Sequence, residues 1–460
     1  MLGPLIPSIL FASLAGTGIG FAAGLVPGLH MNNIAAALTW YAGGSLGIFA
    51  VLGTLCGGDE VGLIAACLIS SALVGHQFSS AITSTYVGIP SEDIVSVLPA
   101  HRLAKAGLGR IAVAASADGS FFGVIIAALL LIPVCAAMGS PAGLYSVLKR
   151  VMVPFIILLS AVLLASEKGS IRSSSSRVER TLQILKASSV FLCSGVLGTV
   201  VLRTDFYACS VPDFPWLPGG YVTKSSLLLP MFAGLFGVSG LLLSLGSRYV
   251  LDAKSDVLVH HVPRPRDMTQ SVFGGLIVGW MPGMTSGSAA TLCSPRTNEA
   301  DVNDVGGAVR FIWLYSSITA SGAIFAVGAL FTIERARSGS MDAAMSFLGN
   351  ATLSRGIYSN ISQIASIVLS MLVASIVSYS ALRWLSPSLS RLRHTLCSRN
   401  LALTSLAFVC SLSLILTGTR GSLLLMTATT LGLIPPLIGV RRIQLMGCLL
   451  VPIVITYLVG

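Results

Sequence analysis

Pro27 and Gly28 cut a run of apolar sequence that would otherwise make one continuous hydrophobic helix. Residues 5–26 are almost wholly apolar, and apolar spacing resumes at Ile34. Proline removes a backbone N–H and clashes with the preceding turn. In hydrocarbon each freed backbone group is costly, so a broken helix persists only where protein or a polar cavity pairs those groups. The break also carries polar side chains of its own. His30, Asn32 and Asn33 follow it directly in the stretch GLVPGLHMNN, and each can bind an anion, a cation or a substrate hydroxyl.

The same pattern returns once. Residues 275–293, GGLIVGWMPGMTSGSAATL, align without gaps to residues 20–38. The alignment matches Gly20 to Gly275, Gly24 to Gly279, Pro27 to Pro282, Gly28 to Gly283 and Ala35 to Ala290. Thr285, Ser286 and Ser288 stand where the first copy has His30, Met31 and Asn33. Interrupted hydrophobic segments at matching places in two halves point to a transporter binding site. Gly and Pro are common in membrane helices and also mark simple kinks, which is the bland alternative.

The surrounding sequence sets the class. With 54% hydrophobic residues and only 10% charged, against about 25% in soluble chains, the chain reads as an all-α polytopic membrane protein. About 11–13 hydrophobic segments are expected, several of them short for a full crossing. Continuous runs of this length exclude barrel strands, which alternate. The net charge of +11 does not indicate nucleic acid, since no basic run is interleaved with aromatics. The excess sits in short loops such as 167–186, 247–270 and 386–400, which are therefore expected on the cytoplasmic side, with 203–224 outside. The nine cysteines form no CxxC pair, and no cofactor or metal site is expected.

The expected division is a first transmembrane repeat over 1–166, linking spans and an external loop over 167–224, a second repeat over 225–385, and accessory helices over 386–460. Each repeat would present a broken or re-entrant Pro-Gly hairpin. A further polar cluster, SSAITSTYVGIPSED, places Ser79, Thr83, Ser84 and Thr85 before a Gly-Ile-Pro90 break and then two acids. These hydroxyls either line a pathway or bond back to their own helix. Asp93 and Asp118 are candidate proton-relay acids, with helix capping the alternative for Asp93. In IERARSG, Glu334 is expected to pair with Arg335 or Arg337 at the membrane edge.

Three motifs, PGLHMNN, GIPSED running into VLPAHRLAKAGLGR, and MPGMTSG, resemble those of the large membrane subunit of tripartite tricarboxylate transporters, the TctA-type permeases, and look most like an archaeal branch. The resemblance implies a multi-pass permease of the cell membrane for a small organic anion of the carboxylate class, driven by alternating access with a coupling Na+ or H+. It also implies an extracytoplasmic binding protein and a small membrane subunit as partners beside the lipid bilayer; a homodimer is a candidate assembly, and no nucleic acid is expected. The Tyr-Gly-Gly-Ser and Asn-x-Pro-Gly segment of the bacterial citrate systems is missing around residues 79–90, which argues against citrate. The substrate or ion site is expected at Pro27, Gly28, His30, Asn32, Asn33, Ser79, Thr83, Ser84, Thr85, Pro90, Pro282, Gly283, Thr285, Ser286 and Ser288. The rival classes are an intramembrane enzyme, for which no HExxH or GxSx setting is present, and a non-transporting scaffold, which leaves the repeated polar residues unexplained.

Overall fold

The computed structural model describes residues 5–42, 60–88, 94–140, 142–167, 177–204, 206, 227–245, 262–294, 304–354, 356–396 and 399–459. Among them every regular element is helical. Nine helices among the described residues are long and apolar enough to cross a membrane, and Arg442–Leu458 forms a shorter apolar one. Large apolar side chains such as Phe11, Leu129, Leu158, Val196 and Met426 are exposed on their outer surfaces, as a chain solvated by lipid requires. The chain is a multi-pass membrane protein.

Both sequence breaks are breaks in the structure. Helix α1 (Ile6–Gly24) stops before Pro27 and restarts as α2 (Met31–Ala42). The second break likewise divides Pro265–Trp280 from Ser286–Cys293. Gly28 and Gly283 adopt the left-handed backbone, with φ of 79° and 74°, a conformation that costs an L-residue about 1–2 kcal/mol.

Each first limb packs along the long helix that follows it in the chain. Helix α1 lies on α3 (Val61–Ile82), which a π-helical turn, Thr83–Val87, continues. After α4 (Ile94–Lys105) come α5 (Gly109–Met138), α6 (Leu144–Ser166) and α7 (Arg177–Arg203). Then α8 (Leu228–Phe232) runs through the π-helical Ala233–Val238 into α9 (Ser239–Leu245). The second broken pair is α10 (Pro265–Trp280) and α11 (Ser286–Cys293), and α10 lies on α12 (Val305–Ile333). Glycines permit the close approach of both first limbs. A Cβ at Gly20 would overlap the carbonyl of Ala72, and one at Gly275 would overlap the hydroxyl of Ser321. Small residues let membrane helices approach closely where no hydrophobic effect drives them together.

Helices α3 and α12 are the most enclosed of the nine. Helix α3 packs on α14 (Ile361–Leu396) and α12 on α5, while α5 and α14 also meet. Between α12 and α14 stands the short α13 (Gly339–Leu348), seated on α2 and α3. The stretch α15 (Arg399–Leu437) is two helical limbs that meet at a break at Gly418, where φ is 64° and ψ −161°. The chain then passes through a 3-10 turn, Arg442–Met446, into α16 (Gly447–Val459), which packs on α7. Pro90, Asp93 and most of the expected external loop 203–224 lie outside the described residues.

Candidate functional site

The first break is held by side chains from α3 and its π-helical continuation. Thr83 Oγ1 donates to the carbonyl of Gly24 at 3.3 Å, and His76 Nε2 bonds the carbonyl of Leu29 at 2.9 Å. A carbonyl only accepts, so Nε2 of His76 carries the proton. Beyond the break, the N–H of Asn32 donates to His30 Nδ1 at 3.0 Å, so His30 caps the start of α2 with a ring nitrogen. The two imidazoles lie 6.4 Å apart.

The second break is capped by hydroxyls. Thr285 is the N-cap of α11, and its backbone N–H donates to Ser288 Oγ at 3.1 Å while the N–H of Ser288 donates to Thr285 Oγ1 at 3.3 Å. This is a capping box with serine in the place of the usual Glu or Gln.

The two breaks open onto one cavity of about 510 Å3, within the range of small-molecule sites. Gly28, His30 and Asn32 reach it from the first break, and Met284, Thr285 and Ser286 from the second. The start of α13 completes the polar side with Arg337, Ser338, Gly339, Ser340 and Asp342. Ser340 N–H donates to Asn32 Oδ1 at 3.1 Å, tying α13 to the first tip. Three helix N-termini, those of α2, α11 and α13, therefore meet one space, and each turns the positive end of its dipole toward it.

Arg337 adds a full charge. Its Nη2 donates to the phenol oxygen of Tyr145 at 2.9 Å, and its guanidinium lies 5.8 Å from that ring's centre. Its buried Nε has no acceptor. The expected pairing with Glu334 is absent: Glu334 is an exposed residue in the left-handed backbone conformation at the end of α12. That turn directs the chain inward and carries Arg337 to the cavity wall.

A second, smaller cavity of about 40 Å3 adjoins the first and shares Gln77 and Thr319 with it. Its wall is rich in hydroxyls, among them Ser84, Thr85, Ser116, Ser120, Ser316 and Tyr315. Ser116 Oγ and Ser316 Oγ are 2.8 Å apart, and Gln77 Oε1 is buried without a partner.

The structure thus brings Gly28, His30, Asn32, Thr285 and Ser286 together on one cavity and Ser84 and Thr85 on the other. Pro27, Pro282 and Gly283 shape the breaks without lining either space. Asn33 and Ser288 are buried behind the tips, Ser288 within the cap and Asn33 with its Nδ2 unpartnered. Ser79 bonds back to its own helix at Gly75 and His76. Asp118 lies on neither cavity and accepts a hydrogen bond from Tyr379 at 3.0 Å. Among the described residues no group of three or more His, Cys, Asp or Glu is placed to hold a metal ion. Sequence reasoning did not assign His76, Gln77 or the stretch from Arg337 to Asp342 to the site. A Ser at position 338 followed by Asp342 in the first helical turn was the available signal for a helix start there.

Comparison with known proteins agrees with this reading of the chain. An uncharacterized protein of the archaeon Methanocaldococcus jannaschii is 24% identical over 458 residues, covering 96% of this chain and 97% of the relative. No solved structure matches. The model of the tripartite tricarboxylate transporter TctA family matches residues 10–447. A match over nearly the whole length places this chain in that family: it belongs to the tripartite tricarboxylate transporter TctA family, a family of membrane transporter components.

Proposed function

We propose that the chain is a cell-membrane permease for a small organic anion, that the solute sits in the larger cavity between the two breaks, and that transport proceeds by alternating access. One observation carries this reading: three helix N-termini and the guanidinium of Arg337 converge on one cavity. Such termini favour anions through aligned N–H groups and dipoles. The hydroxyl-rich side cavity is the place for a coupling Na+ or H+, since neutral oxygens suit a hard cation and a chain of hydroxyls suits a proton.

The internal repeat is part of the same proposal. The constant offset of 255 residues between the two signatures also carries Gly109–Met138 onto Ile364–Arg393, inside Ile361–Leu396. Two related halves, near 1–166 and 225–385, would then move against each other about the shared cavity, with 386–460 as accessory helices. Family membership supports an extracytoplasmic binding protein and a small membrane subunit as partners.

Counterflow in proteoliposomes tests the function. Vesicles loaded with a mixture of unlabelled carboxylates should accumulate labelled carboxylate, and collapse of the Na+ or the H+ gradient should abolish net uptake. Vesicles that accumulate none of a panel of mono-, di- and tricarboxylates under either gradient would overturn the assignment.

A further inference from the structure

The larger cavity has two chemically distinct sides, and the division follows the elements that supply them. Among the described residues its polar lining comes from the two breaks, α3, α12 and the start of α13. Everything contributed by α7, the α8 to π-helical stretch, the 3-10 turn and α16 is apolar: Leu202, Leu228, Phe232, Phe236, Met446 and Leu449 carry that wall. Phe232 and Phe236 stack with their ring centres 6.3 Å apart. Among the described residues the charged groups on the lining are one guanidinium, Arg337, and one carboxylate, Asp342, beside the imidazole of His30.

This lining fits poorly with a solute carrying three carboxylates. Three full charges would meet one guanidinium, helix N-termini worth about half a charge each, the carboxylate of Asp342 and a wall of Leu, Phe and Met, where an unpaired charge is expensive. A solute with a single carboxylate and an apolar body satisfies both sides. Its carboxylate faces the guanidinium of Arg337 and the positive end of the α13 dipole, and its body covers the apolar wall with a hydrophobic gain. Tyr145, held at 2.9 Å by Arg337 Nη2, fixes the guanidinium in place.

We propose that this permease selects an amphiphilic monocarboxylate, with Arg337 as the anion-anchoring and specificity-determining residue and the Phe232–Phe236 wall as the seat of the apolar body. The proposal rests on the reading of the larger cavity as the solute site and narrows it.

Isothermal titration of the full-length protein in nanodiscs tests it with three probes: 3-phenylpropanoate, its neutral analogue 3-phenylpropan-1-ol, and citrate. The acid should bind at least tenfold more tightly than either the alcohol or citrate. Arg337→Gln should lower the acid's affinity to that of the alcohol, and Arg337→Lys, which keeps the charge and guards against a folding artefact, should stay within about tenfold of the unaltered protein. Phe232→Ala with Phe236→Ala should weaken the acid while leaving its dependence on Arg337 intact. Citrate binding as tightly as the acid would overturn the proposal and leave the carboxylate permease standing. Equal affinity for alcohol and acid would overturn it as well, marking the cavity as a non-selective apolar pocket. Silence of all three probes, together with no carboxylate counterflow, would remove both this proposal and the permease reading beneath it.

Discussion

Asn32 and Ser340, far apart in sequence, are joined by a hydrogen bond of 3.1 Å in which the Ser340 N–H donates to Asn32 Oδ1. The contact fastens the tip of the first broken helix to the start of α13. Asn32→Ala leaves a part-buried N–H without its acceptor, which costs about 1–3 kcal/mol. Asn32→Asp keeps the acceptor and sets a negative charge at two helix N-termini, where it is favourable. The aspartate variant should therefore match or exceed the parent in thermal unfolding while binding anions more weakly, and the alanine variant should lose both.

Gly28 and Gly283 make a matched pair. Replacing either with Ala forces an L-residue into the left-handed region, at about 1–2 kcal/mol. Gly28 also faces Gly237 of the π-helical segment across a close approach, whereas the added methyl at Gly283 meets the flexible end of Ile453. Gly28→Ala should accordingly be the more destabilised in a melting comparison of the two single variants.

Ser286 and Ser288 separate transport from stability two residues apart. Ser288 belongs to the cap of α11, so Ser288→Ala should cost about 1 kcal/mol of stability and leave the apparent solute affinity within a few-fold. Ser286 lines the cavity, and Ser286→Ala should raise the KM for uptake with little change in melting temperature.

Away from the cavity, Asp267 is fully buried and accepts from Arg310 Nε at 2.6 Å and from the N–H of Arg264 at 3.0 Å. Asp267→Asn leaves Arg310 without its counter-charge and should destabilise the protein by about 3–5 kcal/mol. Residual folded protein should retain the affinity of the parent, because the pair pins α10 to α12 and touches neither cavity.

The sequence made the two breaks legible because Pro-Gly in an apolar run has few physical outcomes. It also located His30, Asn32, Thr285 and Ser286, since polar side chains next to freed backbone need a polar space. Arg337 was hidden. In IERARSG a cation beside an acid has a cheap interfacial partner, and only the turn at Glu334 reveals that the chain bends inward instead. His76 was hidden for a related reason: a lone His in an apolar helix gives no sign of which carbonyl, here that of Leu29, it must satisfy. Asn33 and Ser288 share the spacing of the cavity residues, and only the helical phase after each break separates the two sets.

The central claim is that both breaks and the start of α13 face one solute. Single cysteines at Ser286 and at Ser338, each in a cysteine-depleted background, test it through their rates of labelling by a membrane-impermeant thiol reagent. With saturating 3-phenylpropanoate or citrate, the account predicts that one of the two carboxylates slows labelling at both positions together. Protection at one position and not the other, or at neither, would contradict a shared site.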